Sequence, residues 1–169
     1  MRLQIDVGFG DAITPAPAIT EFPSILSQSR PRIRVYPRET VVAEKFEAMV
    51  QLGMTNSRMK DYYDIWFMSR HFEFEGSTLA AALRATFERR GTVIPEGPPV
   101  SLTVEYAADP SHVRQWAAFT GSLGTEPIGD LGVVIEEIAE FVLPPAIAAA
   151  IEHPFNQYWK SQSRWRAVR

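Results

Sequence analysis

The run Pro37-Arg38-Glu39-Thr40-Val41-Val42-Ala43-Glu44-Lys45-Phe46-Glu47-Ala48-Met49-Val50-Gln51-Leu52-Gly53 decides the reading of this chain, together with Arg58-Met59-Lys60-Asp61-Tyr62-Tyr63-Asp64-Ile65-Trp66 that follows it. Proline with an acid in the first turn opens a helix, and glycine past the last apolar residue closes it, so the first run predicts a helix that opens at Pro37-Arg38-Glu39-Thr40 and runs to about Gly53. On its wheel Glu44, Glu47 and Gln51 fall within about 60° of one another as the solvent face. Val42, Phe46, Met49 and Leu52 form the apolar arc, and Lys45 lies inside that arc. An ammonium directed inward has to snorkel or meet a carboxylate, because an unpaired buried cation is too costly.

The second run predicts a helix over 58–71 with Asn56 or Ser57 as its cap. Asp61 shares a stripe with Ile65, Met68 and Phe72, and Asp64 lies about one turn on, close enough for the two to act on one group. Tyr62, Tyr63, Trp66 and Phe67 occupy the other side, so this helix reads as largely buried. A lone inward lysine on one helix and a carboxylate pair on the next are natural partners. Periodicity leaves two readings open: a structural ion pair that ties the helices together, or a phosphate-binding lysine kept charged and aimed by its acids.

Outward from this pair, Ser77 is the expected cap of a third helix over about 78–90 that ends at Gly91, with Arg89-Arg90 suited to its C-terminal dipole whatever the ligand. Helices are expected at about 111–121 and 131–143, and Pro144-Pro145 should start a short alanine-rich one. Val100–Tyr106 alternates and reads as a strand. Toward the N-terminus, Ile33–Tyr36 has the pattern of a strand, and Arg2–Val7 alternates Leu3, Ile5 and Val7 against Arg2, Gln4 and Asp6. Residues 11–31 carry four prolines and read as an extended, turn-rich connection. The fold class is α+β, mostly helical: a helical bundle over 37–169 with a small β fragment and connection over 1–36.

Composition bounds the function. With 169 residues the chain suits one domain or a core with an appendage. It has no cysteine, so disulfides, thiolate metal sites and cysteine nucleophiles are excluded, which is compatible with a reducing cytoplasm. A formal charge of −3 does not by itself call for a nucleic-acid partner. No apolar run approaches the roughly 18 residues of a membrane span, and the N-terminus lacks the pattern of a signal peptide. His71, His112 and His153 show no ligand spacing and suggest packing or surface roles. Gly8-Phe9-Gly10-Asp11 reads as a strand-ending turn, since it lacks the Lys-Ser/Thr of a phosphate loop. The tail beyond His153 mixes Lys160, Arg164, Arg166 and Arg169 with Phe155, Tyr158, Trp159 and Trp165 and has no acid. It could bind RNA by stacking and phosphate contact, or dock a terminal helix on the bundle.

The two opening runs, in that order and at that spacing, resemble the central signature of the AbiEii/AbiGii nucleotidyltransferase toxins. Ile5-Asp6-Val7-Gly8-Phe9-Gly10-Asp11 is similar to the strand that precedes it in that family. Ala85-Thr86-Phe87-Glu88-Arg89-Arg90-Gly91-Thr92 and Gln115-Trp116 with Phe119 are similar to its later helices, and the resemblance spans about residues 3–143. It implies transfer of a nucleotidyl group from a nucleoside triphosphate to an acceptor, tRNA in characterised relatives, assisted by magnesium and held in check by a winged-helix antitoxin. By motif, Lys45 would contact the triphosphate, and Asp61, with Asp64, would position it or the attacking hydroxyl. Asp6 matches an acid that joins two others in holding metal.

The Gly-Ser followed by Asp-x-Asp that the family carries ahead of the Asp6 strand does not occur in these 169 residues. Gly76-Ser77 and Gly121-Ser122 are not followed by such a pair, and Glu73-Phe74-Glu75 comes before the first of them. Two metal ions need several converging carboxylates. The expectation is therefore the C-terminal part of such an enzyme, inactive as an isolated chain, with a first half supplied elsewhere or self-association through the N-terminal strand. The alternative is a truncated, non-catalytic paralogue that binds protein or RNA.

Overall fold

The computed structural model describes residues 10, 12–24, 29–124, 128–161 and 164–167. The expected strand at Arg2–Val7, with Asp6, lies outside them. The molecule is α+β and mostly helical, as its sequence indicates. In chain order it has β1 (Ala18–Glu21), β2 (Arg32–Val35), α1 (Arg38–Leu52), α2 (Met59–His71), β3 (Phe74–Glu75), α3 (Gly76–Arg90), α4 (Val104–Ala108), α5 (Pro110–Ser122), α6 (Leu131–Ala150), β4 (Gln157–Trp159) and β5 (Trp165–Ala167).

α1, α3 and α6 form the main layer: α1 packs on α3, α3 on α6, and α2 closes against α6. Phe46 and Met49 of α1 meet Tyr62 and Ile65 of α2, Leu79, Leu83 and Phe87 of α3, and Ile138 and Phe141 of α6 in one core of almost wholly buried side chains. Gly53 ends α1 at φ 51°, and Gly91 ends α3 in the left-handed conformation at φ 66°. At Gly91 the amides of Gly91 and Thr92 close back on the carbonyls of Glu88 and Phe87. Such closures satisfy the last turn's orphan acceptors, and the backbone they need favours glycine.

Several local expectations are overturned by tertiary contacts. Glu47, assigned to the solvent face of α1, is fully buried. Its carboxylate accepts from Arg90 Nη1 at 2.5 Å and Thr92 Oγ1 at 2.6 Å, so the end of α3 supplies what water would have. Phe67 and Phe72 of the α2 region, expected inside, are instead 37% and 41% exposed. α3 begins at Gly76, and Ser77 does not cap it; Ser77 and Thr78 donate to the Glu75 carboxylate. Neither Asn56 nor Ser57 caps α2: its N-cap position is Arg58, which makes no side-chain cap, and Asn56 instead accepts from the Arg58 amide at 3.0 Å in the turn before the helix.

The alternating stretch Val100–Tyr106 is not a strand: a short 3-10 turn at Val100–Leu102 leads into α4, which Thr103 caps. Alternation lost to packing, because Tyr106 has to enter the core. Its ring stacks on Tyr62 and on His112, and its hydroxyl donates to the Asn56 carbonyl at 2.5 Å. α6 runs straight through Pro144 and Pro145 rather than restarting there. A proline at 145 removes the amide that would bond the Phe141 carbonyl. Trp165 Nε1 donates to that carbonyl at 2.8 Å instead.

The C-terminal aromatics therefore do not build a terminal helix. They form a hairpin of β4 and β5 that adds to β3 as an antiparallel three-stranded sheet, with Phe74 opposite Trp159 and Trp159 opposite Trp165. Trp159 is buried and donates to the Ser69 carbonyl at 2.7 Å, near the end of α2. The extended connection also contains more order than expected: Ala18–Glu21 pairs antiparallel with Arg32–Val35, and all eight residues are exposed. Thr40 in the first turn of α1 holds residue 14 from both sides, accepting from its amide and donating to its carbonyl.

Candidate functional site

The inward lysine of α1 meets both acids of α2. Lys45 Nζ lies 2.6 Å from Asp61 Oδ1 and 2.8 Å from Asp64 Oδ2, with side-chain exposures of 17%, 4% and 21%. The geometry follows from two turns of helix. Lys45 sits one residue before the fully buried Phe46, and Asp61 and Asp64 straddle the buried Tyr62, so the packing of α1 on α2 brings the charged ends together at the rim of the core. Burial lowers the lysine pKa, but the hydrogen bonds and charges of Asp61 and Asp64 outweigh it. The net shift holds Lys45 above the usual lysine value and keeps it cationic.

Two further cations, which the wheels had left unassigned, complete the cluster. Lys60 donates to Asp64 Oδ2 at 2.5 Å, and Arg58 Nε lies 2.8 Å from Asp61 Oδ2. These are i,i+4 and i,i+3 pairs, a spacing legible in the sequence. The Arg58 contact is an ion pair without hydrogen-bond alignment, so Asp61 Oδ2 is buried and accepts no hydrogen bond among the described residues. Counted together, three cations face two carboxylates. The cluster carries a net charge of about +1, suited to an anionic ligand.

Of the residues singled out from the sequence, Lys45, Asp61 and Asp64 converge here, and Asp6 lies outside the described residues. His71 and His153 are exposed, and His112 is buried in ring stacking with Tyr106. Among the described residues, no three groups of the carboxylate, imidazole or thiolate kind come together as a metal would require. The carboxylates that do converge are already matched by three cations, so the described residues do not fit a magnesium site.

An inward lysine clamped by two acids, with Arg58 and Lys60 at its edge, makes one charged cluster between the first two helices. The chain matches the family model described as nucleotidyl transferase AbiEii toxin, type IV toxin–antitoxin system, over residues 1–152. The protein belongs to that AbiEii family. No curated protein and no solved structure matched the chain. Membership implies a type IV toxin–antitoxin nucleotidyltransferase, with a nucleoside triphosphate and divalent metal as typical requirements and an antitoxin as partner. Among the described residues no helix is long and apolar enough to cross a membrane.

Proposed function

We propose that this chain supplies the nucleotide-orienting helices of an enzyme that transfers a nucleotidyl group from a nucleoside triphosphate to an RNA hydroxyl, with tRNA as the acceptor class. The observation that carries this reading is the Lys45 ammonium held between Asp61 and Asp64. An ammonium has three hydrogens. Two are directed at the carboxylates, and the third is left to donate to a phosphate oxygen. The acids keep the lysine charged and fix its position, which is the main demand of phosphoryl-type transfer.

Asp61 takes the complementary role. Its Oδ1 holds the lysine, while Oδ2, ion-paired with Arg58 Nε at 2.8 Å but accepting no hydrogen bond among the described residues, is the oxygen at which an attacking hydroxyl is oriented and its proton received once Arg58 gives way. Arg58 and Lys60, more than half exposed, draw a polyanion toward the cluster. The acids that hold metal in the family belong to the Gly-Ser…Asp-x-Asp segment and to the Asp6 strand, neither of which is among the described residues. A winged-helix antitoxin is the expected partner that restrains the activity.

The test is transfer of label from a nucleoside triphosphate to tRNA by the gene product in its encoded form, with magnesium present. Asp61→Ala and Lys45→Ala are each expected to lower the rate at least tenfold, roughly 1.4 kcal/mol in the barrier, with circular dichroism unchanged. Undiminished labelling by Asp61→Ala would assign the cluster to structure alone. A wild type that binds tRNA but never labels it would favour the non-catalytic binding module.

A further inference from the structure

Four buried side-chain atoms among the described residues have no hydrogen-bond partner, and two of them, Asp61 Oδ2 and Gln115 Oε1, belong to the wall of one groove. The groove has a volume of about 540 Å³ and opens between the start of α2 and the middle of α5. Met59, Ala118 and Phe119 give it an apolar surface, and Arg58 borders the Asp61 end. Phe119 is fixed edge-on against Tyr63 and tilted against Trp116, so its ring is a preset element of the wall.

A buried acceptor without a hydrogen bond costs about 1–3 kcal/mol, less for Asp61 Oδ2, which has Arg58 Nε at 2.8 Å as an ion pair, and a ligand is one way such a group is completed. Gln115 gives its amide nitrogen to Ser111 Oγ at 3.2 Å. Rotating the amide by 180° would let its oxygen accept from that hydroxyl and leave the nitrogen unpaired instead. In either orientation one polar end of this groove-lining amide has no partner among the described residues. What fits is a body with flat apolar faces, one edge of donors and acceptors, and a hydroxyl a short distance away.

We propose that the groove is a nucleoside subsite: the base lies along Phe119 with its polar edge on Gln115, and a ribose hydroxyl reaches Asp61 Oδ2 as Arg58 swings aside. The proposal rests on the phosphate-orienting reading of Lys45 and extends it to the sugar and base. Gln115 is then a specificity-determining residue. Its amide hydrogen-bonds the base edge, whereas Lys45 binds phosphate regardless of the base. The nucleoside belongs either to the triphosphate donor or to the 3′ end of the acceptor.

Three probes separate these possibilities by titration calorimetry on the full chain: tripolyphosphate, the four nucleoside triphosphates, and a short single-stranded RNA with a free 3′-hydroxyl. At least one nucleoside-bearing probe is expected to bind with a preference among bases. Gln115→Ala should weaken that probe about fivefold, the worth of one hydrogen bond. Ala118→Phe, which fills the groove from an exposed helix face, should abolish the preference. Both variants should leave tripolyphosphate binding unchanged, and the probe that responds identifies the source of the nucleoside. If tripolyphosphate binds in a Lys45-dependent manner while the nucleoside probes ignore both variants, the subsite is wrong and the reading of Lys45 stands. If none of the probes binds, the proposed function falls and the subsite with it.

Discussion

Lys45 and Glu47 lie two residues apart on α1, and both take part in ion pairs, yet their environments differ. Glu47 is sealed, with both oxygens satisfied by Arg90 and Thr92. Its pair is structural, and it ties the C-terminal end of α3 to the middle of α1. Removing one partner of such a pair strands a charge, so Arg90→Met is expected to cost about 3 kcal/mol. Arg89→Met, next to it on the exposed end of α3, should cost much less. Urea denaturation of the two variants measures the difference, and equal losses would contradict the assignment. Lys45 keeps an outlet to solvent and a neighbour, Asp61, whose Oδ2 has an ion pair with Arg58 but no hydrogen bond among the described residues. That contrast, rather than the presence of a salt bridge, is what supports the functional reading proposed for Lys45 over a purely structural one.

α6 shows how a helix passes a double proline. The carbonyl freed by Pro145 is taken by the indole of Trp165, and the ring of Trp165 lies parallel to that of Phe141 with centroids 6.0 Å apart. The hairpin that carries Trp165 thus replaces a backbone donor from outside the helix. Trp165→Phe retains most of the packing and loses the donor, with an expected cost of about 1–2 kcal/mol. Pro145→Ala restores a backbone amide at that turn. In the Trp165→Phe background it should recover much of the loss, so the two substitutions are non-additive in a double-mutant cycle. Additive free energies would show that the indole's hydrogen bond does not compensate the proline.

Among the described residues four groups hold their protons more tightly when folded: Tyr158, through its hydrogen bond to Glu73, and Tyr62, Tyr106 and Lys45. Burial, reinforced by the neighbouring Tyr106, pushes the Tyr62 hydroxyl well above its ordinary value, and burial raises Tyr106 likewise. For Lys45, burial acts downward but Asp61 and Asp64 prevail, so the net direction is again up. A raised folded pKa contributes stability that is complete below the unfolded value and is lost as pH climbs toward the folded one. The unfolded values lie near about 10 for both residue types. The midpoint of urea unfolding should therefore change little from pH 7 to 9 and fall from about pH 10 upward, with a shallower fall in Tyr62→Phe. A midpoint that holds steady to pH 11 would contradict the buried positions of Tyr62, Tyr106 and Lys45. At the acid end, backbone amides lower the Asp109 pKa and the Thr78 and Ser77 hydroxyls lower that of Glu75, so what they add is present above the ordinary carboxylate range and is lost as pH falls.

How much of this was legible before any coordinates varied with the range of the forces involved. The boundaries of α1 and α2 are local matters of proline, glycine and 3.6-residue periodicity, and the sequence alone set them to within a residue or so. The same periodicity put Lys45 on the inner arc and Asp61 and Asp64 on the next helix, because the sign and side of a charge are properties of one helix. Periodicity did not reveal that Glu47 is buried, that Val100–Tyr106 folds as turn and helix, that α6 survives Pro144-Pro145, or that the aromatic tail pairs with β3. Each of these depends on a partner distant in the chain: Arg90 for Glu47, Tyr62 for Tyr106, and Trp165 for Phe141. Local propensities are worth about 1 kcal/mol per residue or less, except at proline, and a buried aromatic or a satisfied carboxylate outweighs them. The family and its charged pair were therefore written in the order of the residues, while the groove beside that pair exists only because α2 and α5 fold against each other.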